Sequence, residues 1–269
     1  MPFGFGLRRK RFKRNATPRK IQTVRRELLR IDGRNVEIVL RTNPRAQRFI
    51  VKVDTAGEVS VVAPSSRDLS SALEFARTEK DWIAGRLADV PPPVNLEVGG
   101  AVLYRGIEHA IKLGDRNDAD RRANGPVWVD RQAQAPTLRI NGRPEHAIRR
   151  LTDWLKREAR RKVEEAVSRH AEQLGVKPHS ITMRDTSSRW GSCSNTRRLS
   201  FSWRLILAPP FVLDYVVAHE VSHLRELNHD VRFWRLVDTL VPYAKRAQIW
   251  LEENGAQLHA YAPRVRGTR

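Results

Sequence analysis

Two hydrophobic rhythms alternate along the chain. From Val36 to Ala63 apolar residues recur at every second position: Val36, Ile38 and Leu40, then Phe49, Val51 and Val53, then Val59 and Val61. A period of two belongs to strands with one buried face, and Asn43-Pro44 and Ala56-Gly57 interrupt it where turns would, so the pattern predicts a small antiparallel meander. Ser66-Arg67-Asp68 offers helix-start residues, and Leu69, Leu73, Phe75, Ala76, Trp82, Ile83 and Leu87 follow at helical spacing. Pro91-Pro92-Pro93 stops that helix and is the clearest internal break. Four short β-like pieces come next (101–104, 110–113, 127–129 and 138–140), with a polar loop over 114–125.

The rhythm then turns helical for good. From about Pro144 to Leu174, Ile148, Leu151, Trp154, Leu155, Ala159, Val163, Ala166 and Val167 form one apolar side, and Gly175 ends the helix. A strand-like Ile181–Asp185, a turn over Ser188–Asn195, a strand-like Leu199–Leu205 and a second strong helix from Pro210 complete the pattern. No internal repeat is evident. These elements predict an α+β fold: an arm over 1–20, a β-rich region with one helix over 21–143, and a C-terminal domain over 144–269 whose two long helices pack near a small sheet.

Composition changes this picture in two ways. The 269 residues hold 50 Lys+Arg against 30 Asp+Glu, a formal charge of +20, yet seven Trp and eight Phe supply a real core, which excludes a wholly disordered basic chain. Residues 1–20 carry eight basic side chains and no acidic one, so +8 sits in a short segment read as a disordered basic arm and +12 is left for 21–269. Part of that remainder lies on the long helix, whose other side bears Arg149, Arg150, Lys156, Arg157, Arg160, Arg161 and Lys162. The arm and this face are either solvated charge or a nucleic-acid footprint. One cysteine, Cys193, excludes an internal disulfide and fits a reducing, cytoplasmic setting. No apolar run reaches the length of a membrane span, and the arm lacks the apolar stretch of a secretory signal, so no membrane partner is expected.

The second helix carries the chemistry. It reads Pro210-Phe-Val-Leu-Asp-Tyr-Val-Val-Ala-His219-Glu220-Val-Ser-His223, a His-Glu-x-x-His pattern without a breaker. At 3.6 residues per turn His219 and His223 stand one above the other and can reach one ion. Glu220 lies about 100° around the helix, placed to hold a water rather than to ligate. Eight histidines seldom fall in this pattern by chance, and unpaired His and Glu on so apolar a helix would be costly to bury. A catalytic zinc takes three protein ligands and leaves a fourth position open, and His229, six residues after His223, is the obvious third. The glycine that usually reverses the chain at this spacing is here Glu226; Asn228 in a left-handed conformation, or a different helix end, would have to serve. Asp230 is the fallback as ligand or as acceptor for an imidazole N–H. His109, His146, His170, His179 and His259 have no ligand spacing.

Arg189-Trp190-Gly191-Ser192-Cys193-Ser194, Trp203-Arg204-Leu205, Pro209-Pro210, Asp214 to Leu224, Asn228-His229 and Phe233-Trp234 together resemble the YgjP-like metallopeptidase family, itself similar to the SprT-like and WLM zinc peptidases. The resemblance is strongest over 180–251 and reaches back, more weakly, through Trp82-Ile83, Gly99-Gly100 and Tyr104-Arg105-Gly106. Ser222 and Ser202 stand where the family usually has Ala and Asn. The resemblance implies a minimal zincin domain, one Zn2+ per chain on His219, His223 and His229, Glu220 as general base, and a protein or peptide substrate. For the tetrahedral oxyanion a second donor is needed, with Arg189, Ser192 and Tyr243 as candidates; Trp190 is a candidate for substrate contact or site-wall packing, and Cys193 reads as an inert buried thiol. Leu199–Trp203 is the strand expected to pair with an extended substrate. Two other readings stay open: a zinc-dependent phosphohydrolase acting on nucleotides, with the Arg-rich surface holding phosphates, and a nucleic-acid-associated protein with structural zinc.

Overall fold

The computed structural model describes residues 8–11, 22–55, 57–114, 125–186 and 189–261. Most of the basic arm and of the polar loop 114–125 lies outside the described residues. The chain divides into two compact units between Pro92 and Pro93, at the proline break. The boundary expected between 143 and 144 therefore falls inside the second unit, because the strands before it share a hydrophobic core with the helices after it.

The first unit is a five-stranded sheet, β1 (Arg8–Arg11), β2 (Gln22–Ile31), β3 (Arg34–Thr42), β4 (Arg48–Val53) and β5 (Val59–Ala63), in the order β1-β4-β5-β3-β2. The expected meander is corrected: β5 lies between β3 and β4 and runs parallel to β3. The short segment β1, within the expected disordered arm, pairs antiparallel with β4. Two helices, α1 (Leu69–Thr78) and α2 (Lys80–Ala88), replace the expected single one. The break falls at Glu79, whose N–H bonds to both Phe75 and Ala76, while the Thr78 hydroxyl also donates to the Phe75 carbonyl; the competition for one carbonyl loosens the helical ladder without any proline or glycine. Ile38, Leu40, Val51, Val59 and Val61 pack with Ala72, Ala76 and Ile83 in this unit's core.

In the second unit β6 (Ala101–Tyr104), β7 (Ile107–Leu113), β8 (Val127–Asp130) and β9 (Thr137–Ile140) form a sheet in the order β6-β7-β9-β8. The long helix α3 (Ala147–Leu174) follows a 3-10 turn at Pro144–His146, buries Leu151, Leu155, Ala159, Val163, Ala166 and Val167, and stops where Gly175 turns left-handed at φ 62°. A second sheet holds β10 (Ser180–Arg184), β11 (Gly191–Cys193) and β12 (Arg198–Ser202) in the order β10-β12-β11. The expected turn over 188–195 thus contains a strand, and the strand expected to receive substrate, Leu199–Trp203, is corrected to the sheet centre; the edges are β10 and β11. The motif helix α4 (Pro210–Ser222), then α5 (Val231–Leu240) and α6 (Ala244–His259) complete the unit, with α3, α5 and α6 packed against α4. Among the described residues no helix is long and apolar enough to cross a membrane.

The basic side of α3 is less of a free charge than its cations suggest. Arg160 pairs with Glu164, Arg161 with Glu158 and Glu165, and Lys162 with Glu165, all at helical spacing, while Arg150 donates to the Asn141 carbonyl.

Candidate metal centre

Helix α4 can hold its motif because nearly everything around the motif is apolar and buried: Val212, Tyr215, Val216, Val217, Ala218 and Val221 fix it from several sides, and Pro210 starts it where a missing N–H costs nothing. His219 and His223 then stand one turn apart, ring centroids 5.0 Å from each other. After Ser222 the helix closes in tight turns, with the N–H groups of Leu224, Arg225 and Glu226 bonded to the carbonyls of Val221 and Ser222. No residue from Leu224 to Asp230 has a positive φ. The chain reverses without Asn228 going left-handed, so of the two sequence alternatives the different helix end is the one observed.

That reversal returns His229 to the other two. Its Nε2 lies 3.1 Å from the Nε2 of His219, and the three imidazoles offer ligand atoms within 4.8 Å of one another. Two nitrogens bound to one tetrahedral ion at about 2.0–2.1 Å are about 3.3 Å apart, so this convergence fits a shared divalent cation. The Nδ1 of His223 faces the Glu226 carbonyl at 3.0 Å, which makes Nδ1 the protonated nitrogen and leaves the Nε2 lone pair free. Burial, reinforced by the neighbouring imidazoles, pushes His219 down to about 3, and burial lowers His223 and His229 as well. All three are neutral donors at neutral pH, as ligation requires. Phe233 forms the floor, stacked on His223 at 4.4 Å and edge-on to His219 and His229, with Trp234 beside it.

Glu220 is 7% exposed and sits against β11. A Cβ at Gly191 would come within 2.6 Å of the Glu220 Cγ, so only glycine lets the carboxylate lie there. Burial pushes Glu220 up to about 8, opposed by the charge of Arg189. Ser192 follows Gly191 on the same edge strand. Cys193 is pushed up to about 11 by burial and then by the Glu220 charge, which keeps the thiol protonated and unreactive.

The other residues singled out in the sequence go elsewhere. Trp190 is buried, stacked on His259 at 4.1 Å and packed against Gly255. The Tyr243 hydroxyl donates to Asp214, on the side of α4 away from the histidines, and it lines a different cavity. Asp230 caps α5, accepting from the N–H groups of Arg232 and Phe233, and is not among the grouped ligand atoms. The Ser222 hydroxyl is satisfied by the Ala218 carbonyl, and Ser202 caps the 3-10 turn at Trp203–Ile206. The roles of Gly191 and of Phe233 as the aromatic floor escaped sequence reasoning; the Arg189–Ser194 block and Phe233-Trp234 in the resemblance were the available signals.

No curated protein gives a significant match. Among solved structures, the crystal structure of the metallopeptidase zymogen of Pyrococcus abyssi abylysin is similar over 38% of this chain and 99% of that one, at 19% identity and a TM-score of 0.32. The family described as YgjP-like, metallopeptidase domain, matches residues 47–254, which contain the histidine cluster, Glu220 and β11. The chain belongs to the YgjP-like metallopeptidase family.

Proposed function

We propose that the protein is a zinc-dependent peptidase in which His219, His223 and His229 hold one Zn2+ and Glu220 is the general base. The observation that carries the reading is the convergence of three neutral imidazoles beside a buried carboxylate. Three nitrogen donors suit zinc, and a three-ligand site keeps a position open for chemistry, whereas a structural zinc is closed by a fourth protein ligand.

When bound, zinc supplies a Lewis acid that polarises the scissile carbonyl and acidifies water. Glu220 accepts the proton of the attacking water and returns it to the leaving amine. Its raised affinity for protons, set by burial and opposed by Arg189 and by the charge of a cation, suits a group that must gain and lose a proton near neutral pH. The edge of β11, unpaired among the described residues, offers backbone groups to an extended substrate, and Ser192 and Arg189 beside it are the candidate oxyanion donors. Tyr243 is committed to Asp214 and takes no part.

The test measures metal and turnover together. Purified protein is expected to carry about one zinc per chain, lost in His229→Ala. On casein-like substrates Glu220→Gln should cut kcat by about 10²-fold or more with zinc retained. A zinc-free wild type, or full activity in Glu220→Gln, defeats the proposal, and Glu220-dependent hydrolysis of nucleotides in place of peptides redirects it to phosphoester chemistry.

A further inference from the structure

A cavity of about 350 Å³ lies in the second unit, between α3, the first turns of α4 and the β6–β7 turn. It is separate from the metal centre: Asp214, which lines it, is roughly 140° around the helix from His219 and 180° from His223. The floor is apolar, formed by Leu205, Leu213 and Phe211, and the rim carries Arg105, Lys162 and Arg169.

The charges on that rim are unequally employed. Lys162 is paired with Glu165 at 2.8 Å, and Arg169 with Asp214, which also accepts from Tyr243 and from His170. Those pairs use both carboxylates of the lining. Arg105 is left with no hydrogen bond or ion pair from its guanidinium among the described residues, in a lining that holds three cations and two carboxylates.

The backbone at Arg105 is a second observation. Arg105 and Gly106 form the two-residue turn between β6 and β7, with φ of 54° and 78°. The turn is fixed, since the Arg105 and Gly106 N–H groups bond to the Ile206 and Leu207 carbonyls at 2.8 and 2.9 Å. A Cβ at Gly106 would come within 2.7 Å of Pro209, so glycine is required there. Nothing comparable requires arginine at 105: asparagine or glycine fills a left-handed first position with less strain. A strained, unpaired guanidinium over an apolar floor is explained by what it can hold.

We propose that this cavity binds a small carboxylate with an apolar body, its carboxylate paired with the Arg105 guanidinium and its body on Phe211 and Leu213. Arginine matches a carboxylate with two parallel N–H donors, the volume fits a body of one or two amino-acid side chains, and the neighbouring Lys162 and Arg169 favour an anion further. A peptide C-terminus and a short fatty acid share this chemistry.

The test is calorimetric titration of the full-length protein with N-acetyl-L-phenylalanine and with octanoate, using N-acetyl-L-phenylalaninamide and inorganic phosphate as controls. At least one carboxylate is expected to bind saturably; tighter binding of the amino acid marks a peptide C-terminus as the source, and tighter binding of octanoate an acyl chain. The amide and phosphate should bind at least about tenfold more weakly. Arg105→Asn should weaken binding by at least about tenfold while leaving the melting temperature equal or higher, since Asn-Gly suits this turn. Arg105→Lys, which keeps the charge but not the fork, should lie between. Absence of saturable binding, equal binding of the amide or of phosphate, or unchanged affinity in Arg105→Asn overturns the proposal.

Discussion

Glu220 makes the metal-free protein sensitive to pH in a defined direction. An unfolded glutamate titrates near 4.5 and the folded one near 8, so between those values the folded state binds more protons and stability falls as pH rises. Glutamine cannot ionise and escapes that loss. In the chelated protein the stability of Glu220→Gln relative to wild type should therefore grow by about 4 kcal/mol from pH 4.5 to pH 9, followed by urea unfolding at each pH. A constant difference would mean that the carboxylate is better solvated than its burial indicates. Gly191→Ala tests the same carboxylate from the strand side: zinc content should stay near one per chain while peptidase turnover drops at least about tenfold, because the new Cβ displaces Glu220. At this scale His219, Glu220 and His223 were legible in the sequence from helical periodicity, and His229 as the third imidazole a zinc would need, although the turn that returns it was not. The need for glycine at 191 was not legible, because it arises between two segments that only the fold brings together.

Helix α5 holds the aromatic floor of the site, and its start depends on one carboxylate. Asp230 accepts two N–H bonds there, so Asp230→Ala should lower the midpoint of a denaturant titration and leave the zinc stoichiometry unchanged. Loss of zinc in that variant would make Asp230 a ligand after all. Most elements were legible from their periods: β3 to β9, the long helix α3 with its glycine stop, and the motif helix. Strand β2 was missed because Arg25, Arg26, Glu27 and Arg30 obscure its alternation, although Asp32-Gly33 is a strong hairpin signal and both residues are left-handed here. The order of strands was not legible, since the parallel pairings of β3 with β5 and of β10 with β12 each skip the strand between them in the chain.

Over the whole molecule, the histidine cluster, Glu220, β11 and a continuous core all belong to the unit that starts at Pro93. A fragment spanning 93–269 should fold cooperatively and bind one zinc per chain, checked by thermal melting and metal analysis; a fragment that melts without a transition would tie the site to the first unit. The charge of +20 left solvated charge and a nucleic-acid footprint open in the sequence; on α3 the glutamates interleaved with the arginines balance much of it, a pairing that net charge does not report. The unit also closes on itself. Val94 forms a bridge with Tyr261 and donates its N–H to the Ala260 carbonyl, while the buried Arg204 guanidinium holds the Tyr261 carbonyl. Entry and exit of the chain are thus side by side, so the catalytic segment is topologically a cassette: it can be carried within a longer polypeptide without its two ends having to be drawn together, and a permuted order of the same residues would trace the same path in space.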